Sequence, residues 1–282
     1  MLTIAYLGPE KTNTHDAAIA RFGRRGVKYV HAPTIDDVFH LVERRVAHFG
    51  VVPVENSLEG AVTHTLDRFI DFIDSPVKIQ GEIQRPIRHY LIMKRKFTLS
   101  EIRFVFSHPQ ALAQCHDWLR QHLPYVIQRE VASTAQAAWV VLHGQSRTPR
   151  AAISRKELAR GKGTKVVAIP QAQDNKTRFL ILGLGEPEKK RRNKTSVLFA
   201  LKDKPGALHD ALVPFKTHHL NLTKIESRPS KKKAWEYIFF IDVEGHQSEV
   251  RMKRALKELK QRVARYKVLG SYPLTRHHRV MS

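Results

Sequence analysis

From Leu2 to Ile169 short apolar runs alternate with stretches of helical spacing, and beyond Glu186 that rhythm changes. Leu2 to Leu7 reads as a strand, Thr14 to Phe22 as a helix capped near Asn13 or Thr14, and Lys28 to His31 as a second strand. Thr34 caps a helix in which Val38, Leu41, Val42 and Val46 recur at helical spacing, and Phe49 to Val54 returns as a buried strand. Val77 to Met93 is extended and interrupted by Pro86, which suits a crossover between two lobes. Phe104 to Phe106 reads as a strand, Gln110 to His122 and Ser133 to Leu142 as helices, and Ala151 to Ile153 and Lys165 to Ile169 as strands. Thr177 begins the last strand of this part, and the alternation predicts an α/β domain with a largely parallel sheet.

Glu186 to Lys194, rich in charge and broken by Pro187, reads as a linker. The order then becomes βαββαβ: strands at Ser196–Leu201, Leu222–Glu226, Trp235–Val243 and Tyr266–Leu269, helices at Pro205–His218 and Ser248–Ala264. That is the ferredoxin-like arrangement, and it puts a domain boundary near residue 190.

The chain starts with no basic leader before its first apolar run, and no apolar stretch nears the roughly 20 residues that span a bilayer. A soluble, cytoplasmic protein is expected, with no membrane partner. A single cysteine, Cys115, excludes an internal disulfide and argues against a structural zinc site; on an apparent helix it reads as a buried small hydrophobe. The formal net charge of +23 would suit a nucleic-acid binder. The basic residues are spread out, however: up to residue 185 there are 26 Lys and Arg against 16 Asp and Glu, and afterwards 23 against 10. The runs Lys189–Arg192 and Lys231–Lys233 fall at the linker and at a hairpin tip. Trp118, Trp139 and Trp235 lie in apolar periodic segments and form no stacking platform, so no nucleic-acid partner is expected.

Open α/β sheets place chemistry where strand ends meet helix N-termini. Four segments qualify: Glu55–Gly60; Ser107–Gln110 with the helix carrying Gln114; Ser133–Thr134; and Thr177–Arg178–Phe179. Singly, each has a plain reading: Ser133 or Thr134 as an N-cap, Asn56 as a turn residue, Pro109 as a first helical residue. In Thr177–Phe179 a hydroxyl stands beside an obligate cation and an aromatic ring, a grouping suited to an anion receiving a proton.

Taken in order, these blocks resemble the prephenate dehydratase family. Tyr6–Glu10, Val51–Ser57, Ser107–Leu112, Ser133–Thr134 with Ala137–Ala138, and Thr177–Phe179 carry the resemblance, and they run through nearly the whole chain up to the linker. It implies a catalytic domain over residues 1–188, built in two lobes like a type-two periplasmic binding protein, the second roughly 85–165, with prephenate held in the cleft between lobes. It implies loss of water and carbon dioxide from prephenate to give phenylpyruvate for phenylalanine synthesis, with no cofactor and no metal. Thr177 is the residue implied to be catalytic; Asn56, Ser107, Gln114, Ser133, Thr134, Arg178 and Phe179 are implied to bind substrate or shape the site, Arg178 as a carboxylate partner. His108 could serve as a proton source or make a structural hydrogen bond. Lys11–Thr12–Asn13 departs from the family's Gly-Thr-Phe, and Gln171 stands where the family often has Asp. No helical segment precedes Leu2 to make a chorismate mutase domain, so a monofunctional enzyme is expected.

Residues 194–275 likewise resemble ACT regulatory domains. Gly206, Ala207, Leu208, Asn221, Leu222, Glu226, Ser227, Arg228 and Pro229 match the segments that in the family surround phenylalanine at a subunit interface. The resemblance implies feedback inhibition by phenylalanine in a homodimer or homotetramer. A noncatalytic sensor of the same build is the main alternative, which the presence of Thr177 disfavours.

Overall fold

The structure is a computed structural model that describes residues 1–145, 147–159, 161, 163–170, 175–230 and 237–274. Gln171, Lys231–Lys233, Trp235 and the expected domain end at residue 275 lie outside the described residues.

The strands in the first part of the chain are β1 (Leu2–Leu7), β2 (Val27–Ala32), β3 (Phe49–Asn56), β4 (Gly60–Ala61), β5 (Lys78–Pro86), β6 (Tyr90–Lys94), β7 (Phe104–Ser107), β8 (Ile127–Glu130), β9 (Arg150–Ser154), β10 (Thr164–Ala168) and β11 (Lys176–Gly183). The helices are α1 (Asn13–Phe22), α2 (Ile35–Glu43), α3 (Thr63–Asp71), α4 (Pro109–Gln114), α5 (His116–His122) and α6 (Thr134–His143). The C-terminal part adds β12 (Asn193–Ala200), α7 (Ala207–Thr217), β13 (Leu222–Pro229), β14 (Tyr237–Glu244), α8 (Val250–Arg262) and β15 (Arg265–Pro273).

The helix after Thr34 forms because its first turn is closed from both sides: Thr34 Oγ1 accepts the Asp37 N–H at 3.1 Å, and Asp37 accepts the Thr34 N–H at 3.1 Å. Val38, Phe39 and Val42 are then buried. Val46 falls past the end of this helix and is exposed, because Arg45 takes a positive φ of 59°. The helix expected over 110–122 is two, α4 and α5, meeting at buried Cys115.

The chain forms two compact units, one of residues 1–10, 14–85 and 177–282, the other of residues 11–13 and 86–176. Each holds an α/β sheet, but both sheets are mixed where a largely parallel one was expected. In the first unit the order is β2-β1-β3-β11-β5 with β4 beside β3; β1 runs parallel to β2 and β3, and β11 antiparallel to β3. In the second it is β10-β6-β9-β7-β8; β7 runs parallel to β8 and β9, and β6 antiparallel to β9 and β10. β6 and β11, two of the antiparallel members, flank the passages between units at 85–86 and 176–177, and the βαβ punctuation does not govern them.

The C-terminal sheet has the order β13-β14-β12-β15, all antiparallel, which is the ferredoxin-like arrangement. An antiparallel sheet with helices on one face ordinarily shows alternating burial, yet all eight residues of β12 are buried. Val197 and Phe199 pack with Phe215, Met252 and Leu259 of the helices. Leu198 and Ala200 join Phe240 and Leu269 in one core with Val52, Leu66, Phe69 and Leu180 of the first sheet. The C-terminal domain and the first sheet therefore share a hydrophobic core, each large buried side chain contributing on the order of 1.5–3 kcal/mol. Gly270 makes the approach possible: a Cβ there would stand 2.2 Å from the Ile79 carbonyl oxygen. Lys267 spans the same seam, donating to the Phe72 and Ser75 carbonyls at 3.1 and 2.8 Å.

Candidate active site

Thr177 is the first residue of the first unit after the chain returns from the second, and on β11 it pairs with Asn56 at the end of β3. Asn56 Oδ1 accepts the backbone N–H groups of Leu58 and Glu59 at 2.9 and 3.2 Å. That fixes the amide, so its Nδ2 is the donor that meets Thr177 Oγ1 at 3.0 Å. The threonine oxygen is thus an acceptor here, and its own proton goes to no acceptor among the described residues. A hydroxyl held in this way can donate its proton to a ligand oxygen.

Arg178 is placed differently from the sequence expectation. Consecutive residues of a strand point to opposite faces, and the guanidinium turns away from the Thr177 face into the seam with the C-terminal domain. Its Nε donates to Glu82 at 2.7 Å, Nη1 to Glu55 at 3.3 Å and Nη2 to the Tyr272 hydroxyl at 3.1 Å. Asp242 Oδ2 lies 2.7 Å from Nη2 without an aligned N–H, so charge more than hydrogen-bond geometry holds that pair. Lys194 completes the group, 3.2 Å from Glu82 and 3.7 Å from Asp242. Ser196 donates to Asp242 and meets Tyr272 at 2.8 Å. With its fork enclosed by protein carboxylates, Arg178 does not present a bidentate donor to a substrate carboxylate.

Burial alone would raise the Asp242 carboxyl, but Arg178 and Lys194 outweigh it and hold it below the usual carboxylate range. Burial likewise would lower Arg178, and Tyr272, Asp242 and Glu82 reverse the shift. The Asp242 contribution is therefore fully present above the unfolded carboxylate pKa of about 3.9 and is lost as pH falls through the lower folded value. Asp242→Asn, which strands buried positive charge, is expected to cost about 3–5 kcal/mol near neutrality. The difference in Tm from the parent chain should shrink below about pH 4; a difference independent of pH would show that Asp242 is not ionised in the fold.

Phe179 is also core: it packs with Ile4, Tyr6, Ala17, Ala18 and Val51 and offers no surface to a ligand. In the second unit Ser107 is fully buried, its hydroxyl donating to the Ile153 carbonyl at 2.7 Å, so its expected substrate contact gives way to a structural bond. Gln114 keeps a polar setting: its Oε1 receives Asn175 Nδ2 at 2.9 Å and faces His89 Nε2 at 2.7 Å. His89 stands in no motif of the sequence, and Asn175, two residues ahead of Thr177 in the same motif, carries no task in the sequence reading. Ser133 caps α6 by accepting the Gln136 N–H at 3.0 Å, and the Thr134 carbonyl accepts from Ser154 at 2.7 Å. His108 is a structural N-cap, its Nδ1 meeting the Gln110 N–H at 3.3 Å.

In the C-terminal domain Gly206 opens α7 with φ of 75° and has open space where a Cβ would stand, beside half-buried Ala207 and Leu208. Asn221 accepts the Glu244 N–H at 2.9 Å on its carbonyl and precedes Leu222, the first residue of β13. On β13 Glu226 is half-buried, while Ser227 and Pro229 are exposed. Arg228 grips Asp67 of α3 through two bonds of 2.9 and 3.2 Å, so the part its guanidinium plays is a tether to the first sheet's layer in place of an effector contact. Lys224 reaches Glu55 at 3.0 Å.

The basic run Lys189–Arg192 is surface, with Lys189 donating to Ser248 at 3.2 Å. Trp139 is exposed, unlike its expected apolar setting. Among the described residues no helix is long and apolar enough to cross a membrane.

The family model for prephenate dehydratase matches residues 4–187, and that for the ACT domain matches residues 195–261. The chain is 46% identical over 274 residues to a bifunctional chorismate mutase/prephenate dehydratase of Aquifex aeolicus, covering 96% of this chain and 74% of that one. A prephenate dehydratase of Methanocaldococcus jannaschii is 40% identical over 252 residues, 88% of each chain. Among solved structures, prephenate dehydratase from Arthrobacter aurescens in complex with L-Phe matches with a TM-score of 0.87 and 32% identity, over 97% of this chain and 90% of that one. Order of motifs, sheet topology and these matches agree: the chain belongs to the prephenate dehydratase family and carries an ACT domain after the catalytic part.

Proposed function

We propose that the chain converts prephenate to phenylpyruvate, with phenylalanine as feedback inhibitor acting from the ACT domain. In that reaction the ring C–OH bond and the bond to the ring carboxylate both break. The electron pair left by departing carbon dioxide enters the ring, which becomes aromatic, and the leaving hydroxide takes one proton to become water. Binding must hold two carboxylates and supply a donor at the leaving oxygen before the reaction starts.

The observation that carries this reading is the Thr177 hydroxyl, held as an acceptor by Asn56 so that its proton is directed to a ligand. A threonine hydroxyl is a weak acid, so its role is to donate a hydrogen bond that strengthens as negative charge develops on the departing oxygen. Asn56 orients it. Gln114, Ser133 and Thr134 are proposed substrate-binding residues; the polar network around Gln114 supports the first, and the place of Ser133 and Thr134 at the start of α6 supports the other two. Gly206, Ala207, Leu208, Asn221, Leu222, Glu226, Ser227 and Pro229 are proposed to surround phenylalanine; the open space at Gly206 supports this. Half-exposed Ile225 and Tyr237 on the C-terminal sheet support assembly as a homodimer or homotetramer.

The test is to incubate the purified chain with prephenate and follow phenylpyruvate by its absorbance in alkali. Formation well above the uncatalysed rate is expected; a rate no higher than buffer alone would leave the noncatalytic sensor as the better reading.

A further inference from the structure

Two facts tie the C-terminal domain to the Thr177–Asn56 pair. Arg178 follows Thr177 in the chain, and its guanidinium is bound by Asp242 of β14 and by Tyr272 of β15. Glu55 precedes Asn56, and its carboxylate is bound by Lys224 of β13 and by Arg178. Both members of the pair therefore have a chain neighbour anchored in the C-terminal domain. Arg178 and Glu55 are themselves register partners, and a register shift follows between Arg178 and Phe179, the kind of irregularity that re-aims side chains.

Building on the proposed activity and effector, we infer that Asp242 and Lys224 are positioning residues through which the C-terminal domain sets the Thr177–Asn56 hydrogen bond, acting by way of Arg178 and Glu55. The physical ground is stiffness. Arg178, Glu82, Lys194 and Asp242 are all buried, and Asp242 Oδ2 has no aligned donor. Screening by solvent is weak there, and a shift of β14 must either carry Arg178 along or separate buried opposite charges. A close-packed seam transmits such a shift and does not absorb it. Thr177 is bonded covalently to the residue that moves. A change in the C-terminal domain on binding phenylalanine would thus alter the direction of the hydroxyl that faces the leaving oxygen.

The test compares the full-length chain with Lys224→Met, Lys224→Arg and the charge-balanced double variant Asp242→Asn with Lys194→Met. Three quantities are measured for each: turnover of prephenate, calorimetric binding of phenylalanine, and the factor by which saturating phenylalanine slows turnover. Lys224→Met and the double variant are expected to bind phenylalanine within about threefold of the parent Kd, while that factor falls about tenfold, within the range usual for coupling between sites. Lys224→Arg, which keeps the charge, should restore the response. A mere packing role would lower Tm and leave the factor unchanged. If Lys224→Met binds phenylalanine and is inhibited as strongly as the parent, the inference is overturned, whatever becomes of the double variant. Absence of turnover in the parent chain would instead overturn the proposed activity.

Discussion

Thr177→Ala is expected to lower kcat by roughly 100-fold or more, the range for losing a positioned proton or hydrogen-bond donor. KM should change little, because the hydroxyl acts mainly on charge that develops as the C–O bond breaks. Stability should barely respond. The side chain lies at the mouth of a strand, half-buried, and its one hydrogen bond contributes on the order of 1 kcal/mol. For a unit of this size that is a Tm shift of roughly 2–4 °C. Thr177→Ser, which keeps the oxygen, should recover most of the rate. Parent-like turnover in the alanine variant would remove Thr177 from the chemistry and leave the Asn56 hydrogen bond a strand-end feature.

Gly270→Ala is expected to destabilise the fold strongly. The added Cβ would stand 2.2 Å from the Ile79 carbonyl oxygen and 3.0 Å from the Ile79 N and C, all backbone atoms of β5 that cannot swing aside. Either β15 lifts from the first sheet or both backbones deform. The shared core through Leu198, Phe240 and Leu269 then opens, and the Lys267 bonds to Phe72 and Ser75 lengthen. Overpacking of this kind costs about 3 kcal/mol, hence a fall in Tm of roughly 6–12 °C. The response to phenylalanine should weaken with it, since the seam that carries Asp242 is disturbed. A Tm within about 2 °C of the parent would mean that the two layers approach less closely than described.

The shared core also changes what is expected of a chain ending near Glu188. The domain boundary expected near residue 190 would by itself imply a catalytic part that stands without the C-terminal domain. The apolar residues Val52, Leu66, Phe69 and Leu180 would in fact lose their cover and face water. Such a chain should aggregate or unfold at lower temperature, even if some turnover survives.

Much of this was readable beforehand where local chemistry decides the structure. The strand–helix alternation from Leu2 to Val54 is punctuated by a capping box at Thr34 and a run of β-branched residues, and each signal acts over a few residues. α3 escaped notice because Val62, the residue ahead of it, offers no side-chain cap, although Leu66, Phe69 and Ile70 have helical spacing. β8 escaped because it is an exposed strand at a sheet edge, Ile127–Glu130, with no alternation to reveal it. Cys115 divides what looked like one helix. The site shows the same boundary. Thr177 and Asn56 stand in short motifs at strand ends, whereas two partners of Arg178, Glu82 and Asp242, lie far away in the chain and in no motif. One available signal was overlooked: adjacent residues of a strand cannot both face one ligand, so Thr177 and Arg178 had to be given different tasks. The same alternation separates exposed Ser227 from Arg228, which is turned toward Asp67.

The most direct measurement is phenylpyruvate formation from prephenate, titrated with phenylalanine alongside calorimetric binding on the same full-length chain. The account predicts stoichiometric phenylpyruvate and carbon dioxide, with a rate that falls along the phenylalanine binding curve. Absence of phenylpyruvate, or a rate indifferent to saturating bound phenylalanine, would contradict it.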